Sequence, residues 1–96
     1  MDTKTFAGSN VLNKYKLTFV CSCPSNNKTI NYALEIYSDE MIFVESLLEF
    51  VSQIESGFHE QIADSLLKRF GGLQVLKAHH HGVDIETIRG GNVPKR

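Results

Sequence analysis

Tyr15-Lys16-Leu17-Thr18-Phe19-Val20-Cys21-Ser22-Cys23-Pro24 is the stretch from which the fold can be read. Tyr15, Leu17, Phe19, Cys21 and Cys23 fall on one side of an extended chain, with Lys14, Lys16, Thr18 and Ser22 on the other. This is the period of two expected of a strand with one buried face. Pro24 offers no N–H to a sheet ladder and ends the strand, and Ser25-Asn26-Asn27-Lys28 after it is rich in turn formers. Beyond the loop, Ile30, Tyr32, Leu34 and Ile36 alternate with Thr29, Asn31, Ala33 and Glu35, so a second strand returns antiparallel to the first. The two form a hairpin with one apolar face.

Toward the C-terminus the period changes. Ser38-Asp39-Glu40 is a turn, and Met41 to Val44 is a short apolar run that periodicity alone does not assign. Ser46-x-x-Glu49 has the form of a capping box and predicts a helix start near Ser46. Leu47, Leu48, Val51 and Ile54, with Phe50 at the margin, carry that amphipathic helix to about Glu55 before Ser56-Gly57 breaks it. Phe58, Ile62, Ala63, Leu66, Leu67 and Phe70 form the apolar stripe of a second helix that ends at Gly71-Gly72. Glu60 then sits in its first turn, where free backbone N–H groups and the helix dipole favour a fixed negative charge.

Leu73 to His81 and Val83 to Ile88 read as two further strands joined tightly at His81-Gly82. The order strand, strand, helix, helix, strand, strand predicts an α+β fold: a four-stranded antiparallel sheet with two helices on one face. Met1 to Asn10 has no period and is expected to be a flexible lead-in, residues 11–89 one domain, and residues 90–96 a flexible basic tail. Open edge strands in so small a unit invite pairing with further copies, which predicts a homo-oligomer.

Composition narrows the function. The 96 residues carry a formal net charge of -1 with 42% hydrophobic residues, a balance that argues against a dedicated nucleic-acid surface. The two cysteines, Cys21 and Cys23, are one residue apart, where a bridge between them along a strand is strained. Free thiols, the absence of an apolar leader and the absence of any membrane-length run are what a cytoplasmic protein without membrane association would show.

Three short stretches give the pattern a chemical meaning: Phe19-Val20-Cys21-Ser22-Cys23-Pro24, Val44-Glu45-Ser46 and Phe58-His59-Glu60. In spacing and order they resemble the QueF-like nitrile reductases of queuosine biosynthesis. Those enzymes act on 7-cyano-7-deazaguanine and belong to the tunnelling-fold (T-fold) superfamily of pterin- and purine-binding enzymes. The resemblance implies a ββααββ tunnelling fold whose sheets join edge to edge into a barrel. It implies Cys23 as the nucleophile that forms a thioimide with the nitrile, and Glu60 as the carboxylate that receives the N–H and amino group of a guanine-like ring. A fixed carboxylate suits two parallel ring donors, because charge-assisted bonds exceed neutral ones. His59 matches the histidine beside that acid, and Glu45 and Ser46 match residues grouped with the substrate site.

The sequence also departs from the family pattern. Where the family carries an aspartate as proton donor this chain has Ile30, and Leu47-Leu48-Glu49-Phe50 supplies no cation for a cofactor phosphate. The arginine-glycine-glycine of the family between the last two strands is replaced by His80-His81-Gly82. The NADPH signature is therefore incomplete, and no cofactor is expected.

Each reading has a plainer alternative. Cys23 is either a nucleophile or a small buried hydrophobe, and Glu60 is either a ring-recognition group or a dipole-matched surface carboxylate near Asp64 and Lys68. His79-His80-His81 is either a metal-binding run, with His79 and His81 sharing one strand face, or a polar patch at a barrel rim, and no metal is expected. Two function classes stay open. One is an enzyme on a purine, deazapurine or pterin-type ring: a nitrile reductase relative, an amidine-forming variant, or a relative of the cyclohydrolases and dihydroneopterin aldolases. The other is a non-catalytic tunnelling-fold module that binds a heterocycle or only assembles.

Overall fold

The computed structural model describes residues 12–91. The expected lead-in at residues 1–10 and residues 92–96 of the expected tail lie outside the described residues. The first hairpin pairs β1 (Asn13–Ser22) with β2 (Thr29–Ser38) in the register Tyr15↔Ile36, Leu17↔Leu34, Phe19↔Tyr32 and Cys21↔Ile30. Then come α1 (Val44–Ser52), α2 (His59–Phe70), β3 (Leu73–His80) and β4 (Val83–Gly90). The sheet runs β1-β2-β3-β4 and is antiparallel throughout, as the alternation predicts.

Because alternate residues face opposite ways, the register stacks Leu17, Leu34, Leu76 and Thr87 in one row across the sheet, on the face that the helices cover. Leu34, Leu76 and Ile36 of this face pack with Leu47 and Val51 of α1 and Ile62, Ala63 and Leu66 of α2 into the core. Fully burying one such aliphatic side chain contributes about 1.5–3 kcal/mol. Lys14, Lys16, Glu35, Lys77 and Glu86 lie on the other, helix-free face.

Gln74 stands on the core face, yet its Nε2 donates to Leu66 O at 3.0 Å and to Gly71 O at 2.8 Å, so a strand side chain satisfies carbonyls at the end of α2. Gly71 and Gly72 follow at φ 70° and 75°, positive values that suit the glycine pair after the helix, although Gly71 at ψ -158° is extended and not in the expected left-handed helical conformation. Arg89 Nε donates to Asp64 Oδ1 at 2.8 Å and fastens α2 to β4.

The structure corrects four details. The first helix begins at Val44, two residues before Ser46, with Phe43 in extended geometry as its N-cap and no side-chain cap. Its position is set by Ile42, which is buried and whose N–H donates to Tyr15 Oη at 3.0 Å. The first helical bond runs from Leu47 N to Phe43 O, and Ser46 falls inside the helix.

The same helix ends at Ser52, not near Glu55. A tightened turn, Gln53 N to Phe50 O and Ile54 N to Val51 O, releases the chain there. Ser22 N then donates to Glu55 O at 2.9 Å, drawing that segment alongside β1. In the first strand, regular pairing stops at Ser22, so Cys23 belongs to the loop and not to the strand face that carries Cys21.

Finally, His79 and His81 do not share a face. His81 occupies the two-residue turn with Gly82 at φ 56° and 79°, the positive values that tight hairpin connections require.

Candidate functional site

Cys23 sits at the head of a closed loop. Its N–H donates to Lys28 O at 2.8 Å, and Asn27 N donates back to Cys23 O at 2.7 Å, wrapping Pro24 to Asn27 into a single turn. Proline at the first position of that turn loses no hydrogen bond, and Asn27 closes it at φ 63°. Lys28 N donating to Asn26 Oδ1 at 2.9 Å braces the far side.

The geometry turns polar hydrogens toward sulfur. Cys23 Sγ lies 3.2 Å from Ser25 Oγ. That hydroxyl, the Ser25 N–H and, more weakly, the Asn26 N–H hold the thiol below its ordinary pKa against the opposing effect of burial. Cys21 is the contrast: burial pushes its thiol up, and its Sγ donates to Ile54 O at 3.3 Å. Both thiols are buried, Cys23 at 2% and Cys21 at 4% exposure, and what separates them is the opposite direction of their pKa shifts.

Cys23 lines a cavity of about 130 Å³ together with Tyr32, Phe58, His59, Glu60 and His80. Three of the residues singled out from sequence, Cys23, His59 and Glu60, therefore meet in one place although the loop and the helix are far apart in the chain. His59 is fixed by its Nε2–H, which donates to Leu76 O at 3.1 Å. Its Nδ1 is shielded from solvent and has no partner among the described residues. Burial lowers the His59 pKa, with the Leu76 carbonyl and the Glu60 charge pulling weakly the other way, so the ring is held neutral.

Glu60 is exposed in the first turn of α2, as expected, and its carboxylate has no hydrogen-bond or ion-pair partner among the described residues. Gln61 Oε1 accepts from Phe58 N at 3.4 Å and supports this helix start. Tyr32, 2% exposed, floors the cavity between Phe19, stacked at 5.2 Å, and the tilted ring of His59 at 5.5 Å. Burial raises the Tyr32 pKa, and the neighbouring thiols and Glu60 add to the rise, so its hydroxyl keeps its proton.

Glu45 and Ser46 are not brought to this cavity. Glu45 is exposed in the first turn of α1, and Ser46 lines a separate depression of about 190 Å³ with Ser38, Glu40 and Arg69. Within one chain, the length of α1, about 13 Å for nine residues, lies between that depression and the Cys21 end of the helix.

Two pocket residues escaped the sequence reading. Tyr32 was visible only as one more apolar strand position, and the alternation that puts it beside Ile30 was the available signal. His80 was hidden in the His79-His80-His81 run. His79 points to the helix-free face and holds Asp84 at 2.7 Å, while His81 accepts from Asn26 Nδ2 at 3.2 Å. Among the described residues no three His, Cys, Asp or Glu side chains gather as a metal ion would need.

The helix-free face has a larger hollow, about 670 Å³, lined by Thr18, Asn31, Lys77, His79, Asp84 and Glu86. No thiol lines it; His79 pairs with Asp84 across it, and Lys77 reaches Glu35 outside it at 3.6 Å. The smaller cavity is the one that brings Cys23, His59 and Glu60 together. Among the described residues no helix is long and apolar enough to cross a membrane.

No protein-family model matches the chain, and no curated protein matches its sequence. A solved structure does match its shape: the crystal structure of the archaeosine synthase QueF-Like in the apo form, at a TM-score of 0.74 and 20% identity. The match covers 86% of this chain and 96% of that one. The ββααββ chain thus has the fold of that QueF-like protein, the tunnelling fold implied by its three short motifs.

Proposed function

We propose that this chain binds a planar 7-deazaguanine-type or purine ring through Glu60 and adds the Cys23 thiolate to a nitrile carried by that ring. The observation supporting this reading is the meeting, in one cavity, of a thiol whose pKa is lowered by hydrogen bonds and a carboxylate without a partner among the described residues. Glu60 accepts the ring N–H and its neighbouring amino group, and Phe58, half exposed beside it, offers a face for stacking.

Cys23 then attacks the nitrile carbon, a C–S bond forms, one C–N π bond breaks, and the nitrogen takes a proton to give a thioimide. An amine nucleophile such as ammonia adds to the thioimide carbon and expels the thiolate, leaving an amidine. This sequence needs no hydride, in keeping with the lack of a cation in Leu47-Leu48-Glu49-Phe50. Glu45 and Ser46 serve this site only from a neighbouring copy.

A cavity of about 130 Å³ is smaller than the roughly 300–1,000 Å³ of complete small-ligand sites, which favours a site finished by a second chain. Strands β1 and β4 are the two sheet edges. Exposed Val20 and Val83 lie on them, and Met41, Phe43, Val44 and Leu48 add an apolar patch around the start of α1. The proposed assembly is a homo-oligomer joined edge to edge.

Incubation with 7-cyano-7-deazaguanine, followed by intact mass and thioimide absorbance, tests the reaction, with Cys23→Ala as control. An adduct on the parent chain and none on the variant is expected. Ring binding without an adduct would leave a non-catalytic binding module, and neither binding nor adduct would remove the reading altogether.

A further inference from the structure

The thioimide step needs a group that carries a proton to the nitrile nitrogen, and the cavity narrows the choice. Its polar side chains are Cys23, Tyr32, His59, Glu60 and His80. Cys23 is the nucleophile and Glu60 the ring acceptor. His59 has committed its Nε2–H to Leu76 O, and although its Nδ1 is also without a partner among the described residues, burial disfavours its taking up a proton, while Tyr32 is held protonated. His80 is left, and its Nε2 is shielded from solvent with no hydrogen-bond partner among the described residues. An imidazole nitrogen in that state has lost its water without gaining a partner, and a ligand nitrogen would satisfy it.

The sheet explains why His80 faces this way. The last registered pair between β2 and β3 is Tyr32↔Ala78, and continuing two residues along each strand sets His80 across from Ile30 on the same face. Ile30 is apolar, so β2 supplies no competing acid there. The ring of His80 rests on that of His81 at 4.1 Å, and Asn26 Nδ2 donates to His81, so the β3–β4 turn is braced against the Cys23 loop.

We infer that His80 is the acid–base residue of the Cys23 cavity, passing a proton from the thiol to the nitrile nitrogen as the thioimide forms. This rests on the nitrile reading above. In the step, the Cys23 S–H proton moves to the His80 imidazole and the thiolate forms the C–S bond. The electron pair of the broken π bond goes to nitrogen, which takes the proton back from the imidazolium. The net change is addition of S–H across C≡N, with His80 returned to its starting state.

The test follows adduct formation by 7-cyano-7-deazaguanine in single turnover, beside equilibrium binding of 7-deazaguanine, for the parent chain, His80→Gln and His80→Ala. His80→Gln should form adduct about a hundredfold more slowly while binding 7-deazaguanine within about twofold of the parent. Added imidazole should restore much of the rate to His80→Ala. Three results overturn the inference while leaving the nitrile reading in place: an unchanged rate in His80→Gln, ring binding that falls in step with the rate, or no rescue by imidazole. No adduct on the parent chain removes both together.

Discussion

Cys23 Sγ and Ser25 Oγ stand 3.2 Å apart across the first turn of the loop, and this contact does most to lower the thiol pKa. Ser25→Ala should therefore move the Cys23 pKa back toward its ordinary value of 9.0. Iodoacetamide labelling followed across pH by mass spectrometry checks this: the midpoint should shift upward and labelling near neutrality should slow. Labelling of Cys21 should stay slower in both proteins, because burial holds that thiol protonated.

Glu60→Gln keeps the shape of the side chain and removes its charge. A hydrogen bond to a charged group is worth about 1.5–3 kcal/mol, so titration calorimetry with 7-deazaguanine should show affinity reduced by about ten- to a hundredfold. The exposed position predicts almost no change in the unfolding midpoint.

His59 connects the site to pH. Its folded pKa lies below 6.5, so in the interval beneath 6.5 the unfolded chain binds more protons than the folded one. The stabilising contribution is complete above 6.5 and is lost as pH falls through the lowered value. Urea midpoints measured from about pH 7.5 down to 5 should fall more steeply for the parent than for His59→Phe. Equal slopes would mean that the ring is not held neutral.

Gly71 and Gly72 make a paired test of the turn after α2. Both have positive φ, but a Cβ on Gly71 meets nothing within 4 Å, whereas one on Gly72 comes 2.5 Å from Tyr37 O. Gly71→Ala should lose about 1–3 kcal/mol from backbone strain alone, since φ 70° with ψ -158° is a conformation open to little but glycine, and Gly72→Ala more, because the β2 backbone must also move aside. Chemical denaturation of the two variants checks the order.

The strands and both helices were legible because their periods hold over enough residues. Tyr15 to Phe19 alternates without exception before Val20 interrupts it, and Phe58 to Phe70 repeats at helical spacing. The start of the first helix was misread because Ser46-x-x-Glu49 satisfies a local rule, while the observed start depends on Ile42 and Tyr15, a tertiary contact that no local window contains. Cys23, His59 and Glu60 could be named from short motifs, since each sits at a strand or helix end that the sequence marks. His80 could not, because its role depends on the register between β2 and β3. Glu45 and Ser46 matched a motif yet stand apart from the cavity within one chain.

In this sheet, strand order equals chain order, and this bears on how the molecule folds. Each hairpin is closed by a short loop, and isolated hairpins form in about 1–10 μs. Pairing β2 with β3 must instead close the whole helical segment, and loop-closure entropy grows with length by about 0.6 kcal/mol per doubling. Docking of the two hairpins is therefore the slow event. Cys23 comes from the first hairpin, His80 from the second, and His59 and Glu60 from the segment between them. Cys23 meets His59, Glu60 and His80 only when the last pairing is made, whereas the Ser25 and Asn26 groups that lower its pKa come from its own loop, so a chain with only the first hairpin formed has the altered thiol without the cavity around it.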